Sequence, residues 1–159
     1  MSVLDYGEAI MFDVKGIPVA KARPRFTKTG HVYSTTKTRE AEDAVKRAAA
    51  FYMEEREIFK GPIVISLTFM VRTPTSWSKK RQDLAANAYL LPTTRPDTDN
   101  YIKLVTDAMN GIVYEDDNQI IAIQAAKFYA RAGDERTVVE VIEVDTTHEL
   151  NDFEEVTIQ

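Results

Sequence analysis

The chain of 159 residues contains no cysteine and only two histidines, His31 and His148. This excludes disulfides, thiolate chemistry, zinc-finger spacing and most zinc catalysis. A metal bound here must therefore be bound by oxygen. Long apolar runs are also missing. The longest, Ile63 to Val71, is broken by Ser66 and Thr68 and is far too short to span a bilayer, and no basic leader precedes an apolar segment. The expectation is a soluble, cytoplasmic protein with no membrane partner. No Gly-rich phosphate loop, internal repeat or low-complexity tract is present.

The formal net charge of -5 argues, taken whole, against a nucleic-acid partner. Its distribution argues the other way. Lys15, Lys21, Arg23, Arg25, Lys28, Lys37 and Arg39 form one acid-free basic stretch, and Arg72, Lys79, Lys80 and Arg81 form a second. The excess acid collects after Gly133, where nine carboxylates from Asp134 to Glu155 face a single Arg136.

Periodicity predicts one α/β (α+β) domain over residues 1–147, followed by an acidic tail over 148–159. Ile10, Phe12 and Val14 alternate as in a half-buried strand. Pro18 to Thr36 reads as a loop or loose hairpin anchored by Phe26 and Tyr33. Ala41, Ala44, Val45, Ala48, Phe51 and Tyr52 recur at three and four, which predicts a helix from about Lys37 to Glu57 with all of them on its buried face. Ile63 to Arg72 is a second strand. Thr73 to Pro96 is a long polar connection without structure of its own, hence functional or mobile. A second helix runs from Asp97 to Asn110 with Ile102, Val105, Ala108 and Met109 buried, and Gly111 stops it. Gln119 to Tyr129 and Thr137 to Asp145 read as strands of an antiparallel hairpin. The architecture expected is two layers, a mixed β-sheet with two helices on one face, in the order β-α-β-α-β-β.

The dense carboxylates are Asp97, Asp99, Asp107, Glu115, Asp116 and Asp117, with Lys103 among them. Asp97 or Asp99 taken alone is most simply a helix cap, and the spacing of Asp99, Lys103 and Asp107 by four suits a surface ion-pair ladder. Neither reading accounts for the second acidic group just before a strand. Crowded carboxylates repel unless a cation neutralises them, and a strand pairing beside the helix start would set Asp117 or Asp116 across a cation-sized gap from Asp97 and Asp99. Mg²⁺ takes such oxygen ligands and keeps waters, leaving places for a phosphate oxygen and an attacking water, with Lys103 to stabilise developing charge.

The run Arg95-Pro96-Asp97-Thr98-Asp99-Asn100-Tyr101-Ile102-Lys103, with Asp107-Ala108 and Tyr114-Glu115-Asp116-Asp117-Asn118-Gln119-Ile120, resembles the signature of the RusA-type Holliday junction resolvases. Gly16 to Phe26, Gly30 to Tyr33 and Trp77 to Lys80 resemble segments of phage-type members, so the likeness covers most of residues 9 to 145. It implies a small homodimer that binds four-way DNA junctions and nicks two strands symmetrically with Mg²⁺ or Mn²⁺, without a small-molecule cofactor. It also implies Asp97, Asp99 and Asp117 as metal ligands, Asp116 as the nearest substitute, and Lys103 as the catalytic lysine.

Lys21, Arg23, Arg25, Lys28, Lys79, Lys80 and Arg81 are the candidate phosphate contacts. Trp77 has two open readings, packing on the core or insertion at a junction. Two other functions fit the same acids: a Mg²⁺-dependent nucleotide phosphohydrolase, and a module that binds junctions or single strands without cutting. The first needs fewer basic residues than are present, and in the second the carboxylates would be caps and ion-pair partners.

Overall fold

The computed structural model describes residues 5–22, 25–30, 32–33 and 35–146. The alternating run at the start forms β1, Asp5–Lys15, with Ile10 and Phe12 buried and Met11 exposed. Two short strands follow, β2 (Arg25–Phe26) and β3 (Val32–Tyr33), which pair antiparallel as the loose hairpin. The side chains of Phe26 and Tyr33, expected as anchors, lie outside the described residues, as does the acidic tail from residue 147 on.

Helix α1 spans Thr36–Met53 and opens on Thr35, whose hydroxyl accepts from the Thr38 N–H. Its buried positions are Thr38, Val45, Ala49 and Met53. Phe51 and Tyr52 depart from the expectation: they are 73% and 46% exposed. The buried stripe drifts toward Ala49 and Met53 because these face the sheet and the second long helix, leaving Phe51 outward and Tyr52 on the rim, stacked on Phe12 at 5.6 Å.

β4, Ile63–Arg72, buries Ile63, Ile65, Leu67 and Phe69 on one face. The connection after it is not structureless. Ser78 caps a helix, α2 (Lys79–Ala86), through the Arg81 N–H, and Trp77 packs edge-on against Tyr129 at 5.3 Å. Trp77 thus packs on the sheet through Tyr129 while remaining partly exposed. Helix α3 covers Thr98–Met109, and Gly111, at φ +79°, takes the left-handed turn that ends it. Its buried residues include Val105, Ala108 and Met109 as expected, together with Tyr101 and Leu104. Tyr101 stacks on Phe69, ring centroids 5.0 Å apart, and so fixes the first turns of α3 over the middle of the sheet.

The last strands are β5 (Ile120–Ala130) and β6 (Arg136–Asp145), and here the expected hairpin is wrong. The sheet order is β1-β6-β4-β5, with β5 parallel to β4 and β6 antiparallel to both of its neighbours. β5 and β6 run in opposite directions but are separated by β4. Residues 131–135 need only step across two strand spacings, about 10 Å, which five residues reach easily. Burial favours this arrangement. β6 hides Val139 and Val141 and needs neighbours on both edges, whereas Ile121 to Gln124 of β5 remain exposed at an edge. α1 and α3 pack together on the same face of this four-stranded mixed sheet, as a two-layer α/β domain requires. Among the described residues, no helix is long and apolar enough to cross a membrane.

Candidate active site

Asp97 is the N-cap of α3, in extended conformation (φ -69°, ψ 146°), yet its carboxylate makes no capping hydrogen bond. Asp99 lies in the first turn, and both residues are exposed. Neither forms an ion pair among the described residues. Asp97 thus holds the N-cap position through its backbone, while the carboxylate oxygens make no capping hydrogen bond and stay free. Lys103 turns away from Asp99 and donates to Asp107 at 3.2 Å, so only the lower half of the expected ladder forms.

Asp107 is shared. Its other oxygen pairs with Lys21 at 3.2 Å, and Lys21 also donates to Glu42 of α1. The Lys21 N–H donates to the Asn100 carbonyl at 2.9 Å, which ties the N-terminal loop to the first turn of α3. Burial works to lower the Lys21 pKa, but the hydrogen bonds and charges of Glu42 and Asp107 outweigh it and hold the ammonium above its ordinary range. This lysine is occupied within the protein. Lys21→Met should leave the slope of log affinity against log salt for junction DNA unchanged, where loss of a phosphate contact would reduce it by about 0.9. The same variant should lose about 1–2 kcal/mol of stability to urea by leaving Glu42 without its cation and Asp107 with Lys103 alone. Because the folded pKa is raised, that contribution is complete below about 10.5 and disappears as pH rises through the elevated value.

Beyond α3, Tyr114 is fully buried and donates its hydroxyl to the Thr106 carbonyl at 2.6 Å. Burial first, then the charges of Asp117 and Asp107, push its pKa far above the normal tyrosine value, so it remains a neutral donor. The 3₁₀ turn Asp117–Gln119 follows. Asp116 caps it, accepting from the Asn118 N–H at 2.8 Å, while the Gln119 side chain accepts from the Asp116 N–H at 2.9 Å. The Gln119 amide also donates to the carbonyls of Phe59 at 2.9 Å and Gly61 at 3.0 Å. Asp116 is thus engaged in holding the turn, and Asp117 projects from it with a free carboxylate. Gln119→Ala strips partners from three backbone groups, and urea unfolding should register a loss of about 1–3 kcal/mol.

The two acidic groups leave α3 at opposite ends. Asp97 precedes a helix of twelve residues, about 18 Å long, and the 3₁₀ turn is fastened by Gln119 near the foot of β4. Among the described residues, no group of three or more His, Cys, Asp or Glu comes together closely enough to hold a metal ion. The cation-sized gap expected between Asp117 or Asp116 and the pair Asp97 and Asp99 is not formed within one chain. The donor chemistry still suits a hard divalent ion, since the three free groups are all carboxylates.

The candidate DNA contacts fall into two places. Lys28 stands exposed in the turn between β2 and β3, while Arg23 and the side chain of Arg25 lie outside the described residues. Lys79, Lys80 and Arg81 form the first turn of α2, where acids usually sit, and Arg81 covers the Trp77 ring at 4.0 Å. Cations placed at the positive end of a helix cost stability in isolation and concentrate a field that suits phosphate.

Sequence reading missed Glu42, the bonding of Gln119, and Lys127. The last had a signal: Lys127 continues the helix-facing register of Ile123 and Ala125 in β5, a position where an apolar side chain is expected. Its ammonium donates to the carbonyls of Thr94 at 3.2 Å and Pro96 at 3.0 Å, just before Asp97.

Free carboxylates on Asp97, Asp99 and Asp117, an exposed lysine on the helix between them and basic turns on an α/β scaffold are the equipment of an enzyme that hydrolyses the phosphodiester backbone of nucleic acid. A family model for endodeoxyribonuclease RusA matches residues 15–142, and the chain belongs to that family, the Holliday junction resolvases. It is also similar to the uncharacterized protein YqaN of Bacillus subtilis (strain 168), 36% identical over 128 residues that cover 77% of this chain and 89% of the relative.

Proposed function

We propose that the protein resolves four-way DNA junctions by paired, symmetric nicks, dependent on Mg²⁺ with Mn²⁺ able to substitute, and that it works as a homodimer. The observation that carries this reading is the set of free carboxylates on Asp97, Asp99 and Asp117, with the exposed Lys103 on the helix that lies between them. These three would hold the metal, with Asp116 the less suited donor because one of its oxygens serves the 3₁₀ turn. When bound, the ion supplies Lewis-acid polarisation of the phosphate and a water of lowered pKa. Lys103, steadied by Asp107, stabilises charge developing on the phosphate oxygens. Lys28 and the Lys79-Lys80-Arg81 turn, with Arg23 and Arg25, hold the backbone of the arms.

Two like-polarity nicks in a pseudo-symmetric junction require two sites related by a two-fold axis. Among the described residues β5 ends the sheet, and this edge supports a route to the dimer. Ile121 and Ile123 are 57% and 40% exposed there, and an uncovered apolar edge is a template for pairing. Antiparallel pairing of two β5 edges would carry Asp117 of one copy toward the far half of the other copy's β5, the half that holds the turn before Asp97 through Lys127. The carboxylates that one chain keeps apart would then meet between two. The test is cleavage of a labelled four-way junction beside linear duplex and single-strand controls, with Mg²⁺ or EDTA. Symmetric, EDTA-sensitive nicks confined to the junction are expected, and equal cutting of the linear duplex would refute the reading.

A further inference from the structure

We propose that Lys127 is a positioning residue for the metal carboxylates, an inference that rests on the reading of Asp97 and Asp99 as ligands. Lys127 stands on β5 directly beside Phe69 of β4, and Phe69 carries the stacked ring of Tyr101. One level of the sheet therefore holds two anchors. Tyr101 fixes the first turns of α3, and Lys127 fixes the backbone that enters it. The ammonium spans the carbonyls of Thr94 and Pro96, so both ends of the Thr94-Arg95-Pro96 turn are tied to the sheet one residue before Asp97.

The choice of a charged group for this tie matters. An ordinary loop is secured by a neutral donor or by packing, and a lysine in a sheet normally finds a carboxylate. Lys127 makes no ion pair among the described residues and spends its charge on main-chain carbonyls of the segment that runs directly into Asp97 and Asp99. A donor at this place holds the turn from which Asp97 and Asp99 project. Two of its protons are committed to the carbonyls, so its geometry is set by the turn.

The test compares the wild-type protein with Lys127→Met, which keeps the length without the donor, and Lys127→Arg, which keeps charge and donors. Binding of Mn²⁺ without DNA is followed by the electron paramagnetic resonance of the free ion. Lys127→Met should bind Mn²⁺ about 10–100-fold more weakly, the range seen when groups that orient metal ligands are removed. The Mn²⁺ concentration giving half-maximal junction cleavage should rise by the same factor, with the rate recovered at high Mn²⁺. Lys127→Arg should regain most of the affinity, and the salt dependence of junction binding should be unaltered in both. Wild-type Mn²⁺ affinity in a folded Lys127→Met would overturn the proposal, as would a lowered salt slope with unchanged Mn²⁺ binding, which would make Lys127 a phosphate contact. A wild-type protein that binds no Mn²⁺ and cuts in EDTA would overturn the metal reading itself and this proposal with it. That outcome is recognisable because it appears before any substitution is made.

Discussion

Asp99→Asn is expected to reduce junction cleavage by about a thousandfold or more, the scale of losing one main electrostatic element of a phosphoryl-transfer site, while junction binding persists. Asparagine keeps the size and one oxygen but removes the charge on which affinity for a hard divalent ion depends. The free carboxylate makes no side-chain cap or ion pair among the described residues, so the melting temperature should scarcely change. Affinity for DNA should be equal or slightly higher, because one negative charge facing phosphate is gone. Asp97→Asn is expected to behave in the same way. Electrophoretic mobility shift and cleavage assays on the same junction separate the two effects. Cleavage near the wild-type rate with Mg²⁺ would remove Asp99 from the metal site and leave it an exposed residue of a helix start.

Equally large is the effect expected on mixing two inert variants, Asp97→Asn and Asp117→Asn, as co-refolded or co-expressed chains. If the metal set forms between two β5-paired copies, a mixed dimer has one site with both defects and one with neither. Nicking should then return in the mixture, and the product should be singly nicked junctions, since only one site of each mixed dimer works. If each site is made within one chain, both sites of a mixed dimer carry one defect and the mixture stays as inert as its parents. Sedimentation should place the wild type at twice the 18.0 kDa chain mass. Lysines at positions 121 and 123 should give monomers with lost metal binding, because charge on an apolar strand edge opposes pairing.

How far these sites were legible depends on the kind of signal. The helix carrying Asp99 and Lys103 was plain from its apolar spacing, and the acidic groups were plain from their density. The roles within them were not. Asp116 and Asp117 are the same residue type side by side, and beyond the family resemblance, which favours Asp117, it is the hydrogen bond from the Asn118 N–H to Asp116 that separates them. Lys21 and Lys28 look alike in an acid-free stretch. Folding buries the first between Glu42 and Asp107, which lie 21 and 86 residues further on, and leaves the second exposed at a turn. Phe51 and Tyr52 fit the helical period of α1, but the period marks a face and not the depth to which a neighbour covers it.

The sequence by itself determined the four long strands, helices α1 and α3 and the exclusion of thiolate chemistry, but not helix α2. Strand and helix periods, capping residues and the absence of cysteine act locally or by composition, and a chain cannot hide them. Tertiary structure alone decided that β6 enters between β1 and β4 and that β5 ends the sheet among the described residues, because this choice compares the burial of whole strands and not the turn that joins them. It also decided that the acidic groups stand apart in one chain and that Lys127 braces the turn before Asp97. Both follow from contacts between segments distant in the sequence, whose free energy exists only once the sheet has brought them together.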